Sequence, residues 1–166
     1  MRLKNSYIVI TLLALVFSPA AICAQFLWSS HIFGPITLPK MSHRGDVCEN
    51  HASIIMDVNK TLSNIQISAN NTEHGPAELT NGKDRLVTEY KLTFDGDGIH
   101  QHSGGADTEY VDYKSFLLPA VAVKYVYDDN QVVVTLWVRA SNYADKVADF
   151  GSYTATQTLT VSWIDP

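Results

Sequence analysis

Gly151-Ser152-Tyr153-Thr154-Ala155-Thr156-Gln157-Thr158-Leu159-Thr160-Val161-Ser162-Trp163 is followed in the sequence only by Ile164-Asp165-Pro166. Tyr153, Ala155, Leu159, Val161 and Trp163 share one parity; Thr154, Thr156, Thr158, Thr160 and Ser162 share the other. That period of two predicts a long β-strand with one buried face. No later stretch is there to pair with it, and an unpaired strand edge invites aggregation. A partner strand is therefore expected from elsewhere.

Working back along the chain, strands are predicted over 52–58, 63–69, 86–94, 110–118, 121–127 and 131–139. In the 86–94 run Leu86, Tyr90, Leu92 and Phe94 face in, while Glu89, Lys91 and Thr93 face out. Gly75-Pro76 and Asn81-Gly82 are turn signals, and Asp128-Asp129-Asn130, between two alternating apolar runs, predicts a hairpin. A linker over 141–150 carries a candidate helical turn at 143–147. About seven short strands with no long helix predict an all-β fold, an antiparallel immunoglobulin-like β-sandwich. The 166 residues, 46% hydrophobic and 17% charged, suit one domain with a real core.

The beginning of the chain reads differently. A basic head (Arg2, Lys4), an apolar run over 7–17 and the small-residue zone Ser18-Pro19-Ala20-Ala21-Ile22-Cys23-Ala24 form a signal-peptide pattern. The run is shorter than the roughly 20 residues a membrane span needs, so an exported, soluble protein is expected. A cut after Ala24 makes 1–24 the leader; a cut after Ala20 is the alternative. The first leaves Cys48 as the single thiol, whereas the second retains Cys23 and permits a bridge. Loss of Arg2 and Lys4, with no acidic residue in the leader, takes the formal charge from −5 to −7. An acidic chain without basic clusters excludes nucleic acid as the expected partner.

Residues 25–40 form an extended apolar arm. Phe26, Trp28, Ser30, Ile32, Gly34, Ile36 and Leu38 fall on one parity, and Pro35 and Pro39 exclude a helix interior. An ordinary first strand folded onto its own sheet is the alternative reading. Residues 41–166 make up the β-sandwich domain.

Signals for chemistry are weak. Asp95-Gly96-Asp97-Gly98 resembles the start of a calcium loop, but Ile99 and Ala106 stand where the fifth and twelfth positions need oxygen ligands. His100 and His102 are weak zinc candidates without a defined third ligand. Cys48, beside Asp46 and Glu49, is badly placed to become a thiolate. No nucleophile elbow, phosphate loop or dinucleotide fingerprint is present, so no catalytic residue and no cofactor is assigned, and the protein is not expected to be an enzyme. Asn59-Lys60-Thr61 and Asn70-Asn71-Thr72 match the glycosylation acceptor pattern, which matters only in a eukaryotic secretory pathway.

The terminal Gly-x-Tyr-Thr-x-Thr-x-Thr-Leu-Thr-Val strand, with Gly151 twelve residues before Trp163, resembles the C-terminal signature of chaperone–usher fimbrial subunits. The order of parts is similar as well: leader, arm containing Gly34, a cysteine near the start of the first domain strand, all-β body. The resemblance implies a sandwich lacking its last strand, completed by a donor strand from a periplasmic chaperone and then from the arm of the next subunit. Along such an edge main-chain bonds give affinity and alternate side chains fill pockets; a head-to-tail contact of this kind builds filaments. Carried over to this chain, the donor side chains are Trp28, Ile32, Gly34, Ile36 and Leu38, and the acceptor edge is Gly151, Tyr153, Leu159, Val161 and Trp163. The expected function is that of a structural or minor subunit of a bacterial surface fimbria that contributes to adhesion. Its partners would be the chaperone, an outer-membrane usher, other subunits and a host receptor, and its route would pass through the periplasm to the cell surface. The alternative is a secreted adhesin or lectin that binds a carbohydrate or host receptor through the 95–107 loop. Two departures from the family pattern are the unpartnered Cys48 and the residues that follow Trp163.

Overall fold

The computed structural model describes residues 26–28, 33–58, 64–69, 75–94, 104–124, 131–142 and 148–164. Alternation of apolar and polar side chains has the expected result there: nine β-strands and no helix among the described residues. They are β1 (Phe26–Trp28), β2 (Val47–Val58), β3 (Asn64–Ala69), β4 (Val87–Phe94), β5 (Gly104–Gly105), β6 (Val111–Asp112), β7 (Val121–Lys124), β8 (Gln131–Ser141) and β9 (Leu159–Ile164). A five-stranded sheet has the order β1-β2-β8-β4-β6 and a four-stranded sheet the order β5-β7-β3-β9. Every pairing is antiparallel.

The larger sheet is built on β8. Val132, Val134, Leu136, Val138 and Ala140 are all buried on one face, and both edges are taken, by β2 (Ile54 opposite Val134, Met56 opposite Val132) and by β4 (Tyr90 opposite Val138, Leu92 opposite Leu136). Ile65 and Ile67 of β3 and Val123 of β7 meet these side chains from the other sheet in one core cluster. This is a β-sandwich, as the sequence predicts.

Three local expectations are revised. The 121–127 and 131–139 runs do not form a hairpin, since β7 pairs with β3 and β5 while β8 pairs with β2 and β4. Long ladders saturate both edges of β8, so β7 buries Val123 from the opposite sheet; the connection, 125–130, lies outside the described residues. The 110–118 strand stops at Asp112. There the Asp112 side chain accepts the Lys114 N–H (2.9 Å) and its carbonyl the Ser115 N–H (2.8 Å). This aspartate turn moves the period from two to three or four, burying Tyr113, Phe116 and Leu117. Finally, the terminal stretch is not one ladder. Its second half is β9, paired with β3, but its first half meets the 76–80 segment: Thr154 and Thr80 exchange backbone bonds of 3.1 and 3.0 Å, and Thr156 N–H donates to Pro76 O. The predicted helical turn at 143–147 lies outside the described residues.

The solvent face of the larger sheet carries a cross-strand ladder. Arg139 Nε donates to Glu89 (2.9 Å), Trp137 Nε1 donates to Thr93 Oγ1 (3.0 Å), and the His51 ring lies 4.1 Å from that of Trp137. Cross-strand pairs of this kind stabilise a sheet.

Candidate functional site

Alternation persists in the terminal stretch even where its ladder breaks. Tyr153, Ala155, Gln157, Leu159 and Val161 are half-buried, and the intervening residues are exposed. Their row forms one wall of a groove of about 1490 Å³. Across it runs the extended 33–41 segment, which carries no strand assignment and turns Phe33, Ile36, Leu38 and Met41 toward the core. Between the walls the floor is apolar, made by Ile54, Leu79, Leu86, Tyr90, Leu136 and Val138. β9 is the last strand of its sheet, bonded to β3 on one side only.

Hydrogen bonds hold both walls. Asn50 Nδ2 donates to Thr37 O (2.8 Å). Further on, the Asp46 carboxylate accepts the N–H groups of Ser42 and His43, each at 2.7 Å, and these bonds hold its pKa below the usual carboxylate value. Gly45 and Asn142 close that end through Gly45 N–H to Asn142 O (3.4 Å) and Asn142 N–H to Asp46 O (3.3 Å). On the opposite wall Tyr153 OH donates to Asp149 O (2.7 Å). In the floor the Tyr90 hydroxyl donates to Ala77 O (2.7 Å), and burial raises its pKa. Phe150, 92% exposed, stands at the mouth with Lys40 Nζ 5.4 Å from its ring centroid.

The expected acceptor residues Tyr153, Leu159 and Val161 thus share one wall. Gly151 lies exposed at its end, where an added Cβ would come within 3.3 Å of Asn81 Nδ2. Trp163 lies opposite Ile65 in β9; its side chain is outside the described residues. Of the expected donor residues, Ile36 and Leu38 line the same groove, packed on this chain's own core. Gly34 is exposed, with nothing within 4 Å of an added Cβ, so no contact within this chain requires a small residue there. Trp28 lies in β1 opposite Met56, and Ile32 is outside the described residues. The arm is therefore not free of its own domain: β1 is an edge strand of the larger sheet and 33–41 a groove wall.

Sequence reasoning missed Phe33, Met41, Gln157 and Phe150. Phe33 lies off the even-numbered row because the parity breaks across Gly34-Pro35, a signal the proline did provide. Gln157 sits on the apolar parity of its strand; its Oε1 is shielded without a hydrogen-bond partner among the described residues, while Nε2 donates to Thr158 O. No group of three or more His, Cys, Asp or Glu able to hold a metal occurs among the described residues. The candidates His100 and His102 lie outside them. Cys48 is buried and free.

No protein-family model matches the chain, and no curated protein does. Among solved structures, the P pilus rod subunit PapA aligns with 79% of this chain and 100% of its own, at 12% identity and a TM-score of 0.34. The assignment of a β-sandwich rests on the two sheets and their shared core.

Proposed function

We propose that the chain is a structural or minor subunit of a bacterial surface fimbria, assembled by exchange of a donor strand and contributing to adhesion. The observation that carries this reading is the open groove, apolar along its floor, beside an edge strand whose inward row continues Tyr153, Leu159, Val161. A strand laid between the 33–41 and 153–161 walls finds main-chain groups along β9 and apolar positions for alternate side chains, the two requirements of strand addition. In this proposal Gly151, Tyr153, Leu159, Val161 and Trp163 accept the strand. The arm carrying Trp28, Ile32, Gly34, Ile36 and Leu38 supplies it to the next subunit. A periplasmic chaperone covers the groove before assembly, an outer-membrane usher passes the subunit to the cell surface, and the polymer meets a host receptor. The protein performs no catalysis in this role and needs no cofactor.

The experiment is to mix the chain purified from residue 25 with a fluorescent peptide of residues 25–40, following anisotropy and native mass. Saturable binding or head-to-tail oligomers are expected, both lost in Val161→Arg. A chain that stays monomeric and leaves the peptide free at every concentration would defeat the proposal.

A further inference from the structure

The arm is held to its own domain by two unequal attachments. β1 meets β2 through three residue pairs, Phe26 with Val58, Leu27 with Asp57 and Trp28 with Met56, at the very end of β2. An end-of-sheet pairing this short has only a few main-chain bonds to lose and frays readily. The 33–41 segment is attached by packing. Phe33, Ile36 and Leu38 join the main core cluster, Leu38 and Met41 the second one around Cys48, Leu79 and Leu86. Asn50 holds Thr37 O, and Asp46 ties the following turn. A residue that walls its own groove is not available to fill a neighbour's. Withdrawing this wall would also open the space into which the neighbour's strand must fit.

We infer that the arm is divided at Phe33: β1 is a releasable strand, parked on the edge of β2 until it is donated to a second copy, and 33–41 stays with its own domain as the groove wall. The inference rests on the strand-exchange reading above and narrows it, because Ile36 and Leu38 then serve the acceptor side. It also gives β1 two competing positions, its own β2 edge and another copy's groove. Release from the first becomes a step in assembly. The occupant is a second copy of this chain, because the competing positions both accept an extended strand of the same apolar parity and the parked strand is this chain's own.

Crosslinks test it in the full chain from residue 25, in a Cys48→Ala background. L27C/D57C joins directly opposed residues of an antiparallel pair, a spacing compatible with a disulfide. T37C/N50C, bridged by a short bis-thiol reagent, locks the wall. Oligomer mass is followed before and after reduction of the first variant. At least a tenfold loss of oligomer is expected with L27C/D57C oxidised, recovered on reduction, and unchanged assembly with T37C/N50C bridged. Failure of the first disulfide to form, assembly despite it, or loss of assembly with the wall locked would each overturn the division. Hydrogen exchange on the unsubstituted chain gives an answer without variants: 36–41 should keep its monomer protection in the oligomer while 26–28 gains protection. Equal gains in both would overturn it. A parent chain that neither oligomerises nor binds the arm peptide defeats the strand-exchange reading itself; a parent that assembles with the wrong crosslink pattern defeats only the division.

Discussion

Thr88 is 1% exposed in the middle of the apolar row Leu86, Tyr90 and Leu92. Its Oγ1 accepts the Leu79 N–H (3.0 Å) and donates to Leu86 O (2.9 Å), joining β4 to the segment under the groove. Thr88→Val keeps the shape and strands a buried N–H, so a loss of about 1–3 kcal/mol is expected in urea unfolding. Cys48 gives a second prediction. Burial, and then the charge of Asp46, push its thiol pKa up, so at high pH the unfolded chain releases a proton that the folded chain keeps. Stability should be flat with respect to this group below the ordinary thiol pKa of about 8.5 and fall as pH rises through the raised folded value. Cys48→Ala should flatten that fall, as read by denaturation midpoints between neutral and strongly alkaline pH. That Thr88 is buried follows from its parity; that its partner is Leu79 does not, because the two meet only once the 75–86 turn has folded back.

The short strand β5 shows how little sequence pattern an element needs. Gly104 and Gly105 pair with β7 where a Cβ on Gly105 would lie 2.9 Å from Ala122 O and 2.8 Å from Phe94 Cε2. Because one of these neighbours is backbone, the crowding cannot be relieved by a rotamer change. Gly105→Ala should destabilise the domain by about 1–3 kcal/mol in the same unfolding measurement, whereas Gly82→Ala meets only the strain of its positive φ, with nothing within 4 Å. No periodicity marks β5, since two glycines have no faces. β4 and β8, by contrast, are legible from residue to residue: alternation places Leu92 and Val134 inward before any partner is known.

At the scale of the molecule the groove leaves the sandwich open on one side. A strand that binds only the folded state stabilises it by mass action, by about 2.7 kcal/mol at a ligand concentration one hundred times Kd. The 25–40 peptide should therefore raise the melting temperature progressively with concentration, and Val161→Arg should abolish the shift while leaving the far-ultraviolet spectrum that of a β-protein. A concentration-independent melting temperature would argue that the groove takes no strand.

The sequence by itself determined the faces: alternating side chains separate inward from outward positions locally, and burial of the inward set between two sheets is then unavoidable. It also marked the two segments that turn out to wall the groove. Tertiary structure alone decided their partners. Backbone hydrogen bonding is indifferent to side-chain identity, so nothing in the 121–139 pattern distinguishes a hairpin from a crossover; saturation of both β8 edges does. The same indifference explains why the terminal stretch, uniform in sequence, meets the 76–80 segment first and β3 afterwards. It also lets an arm with a single apolar pattern be an edge strand in one half and a groove wall in the other.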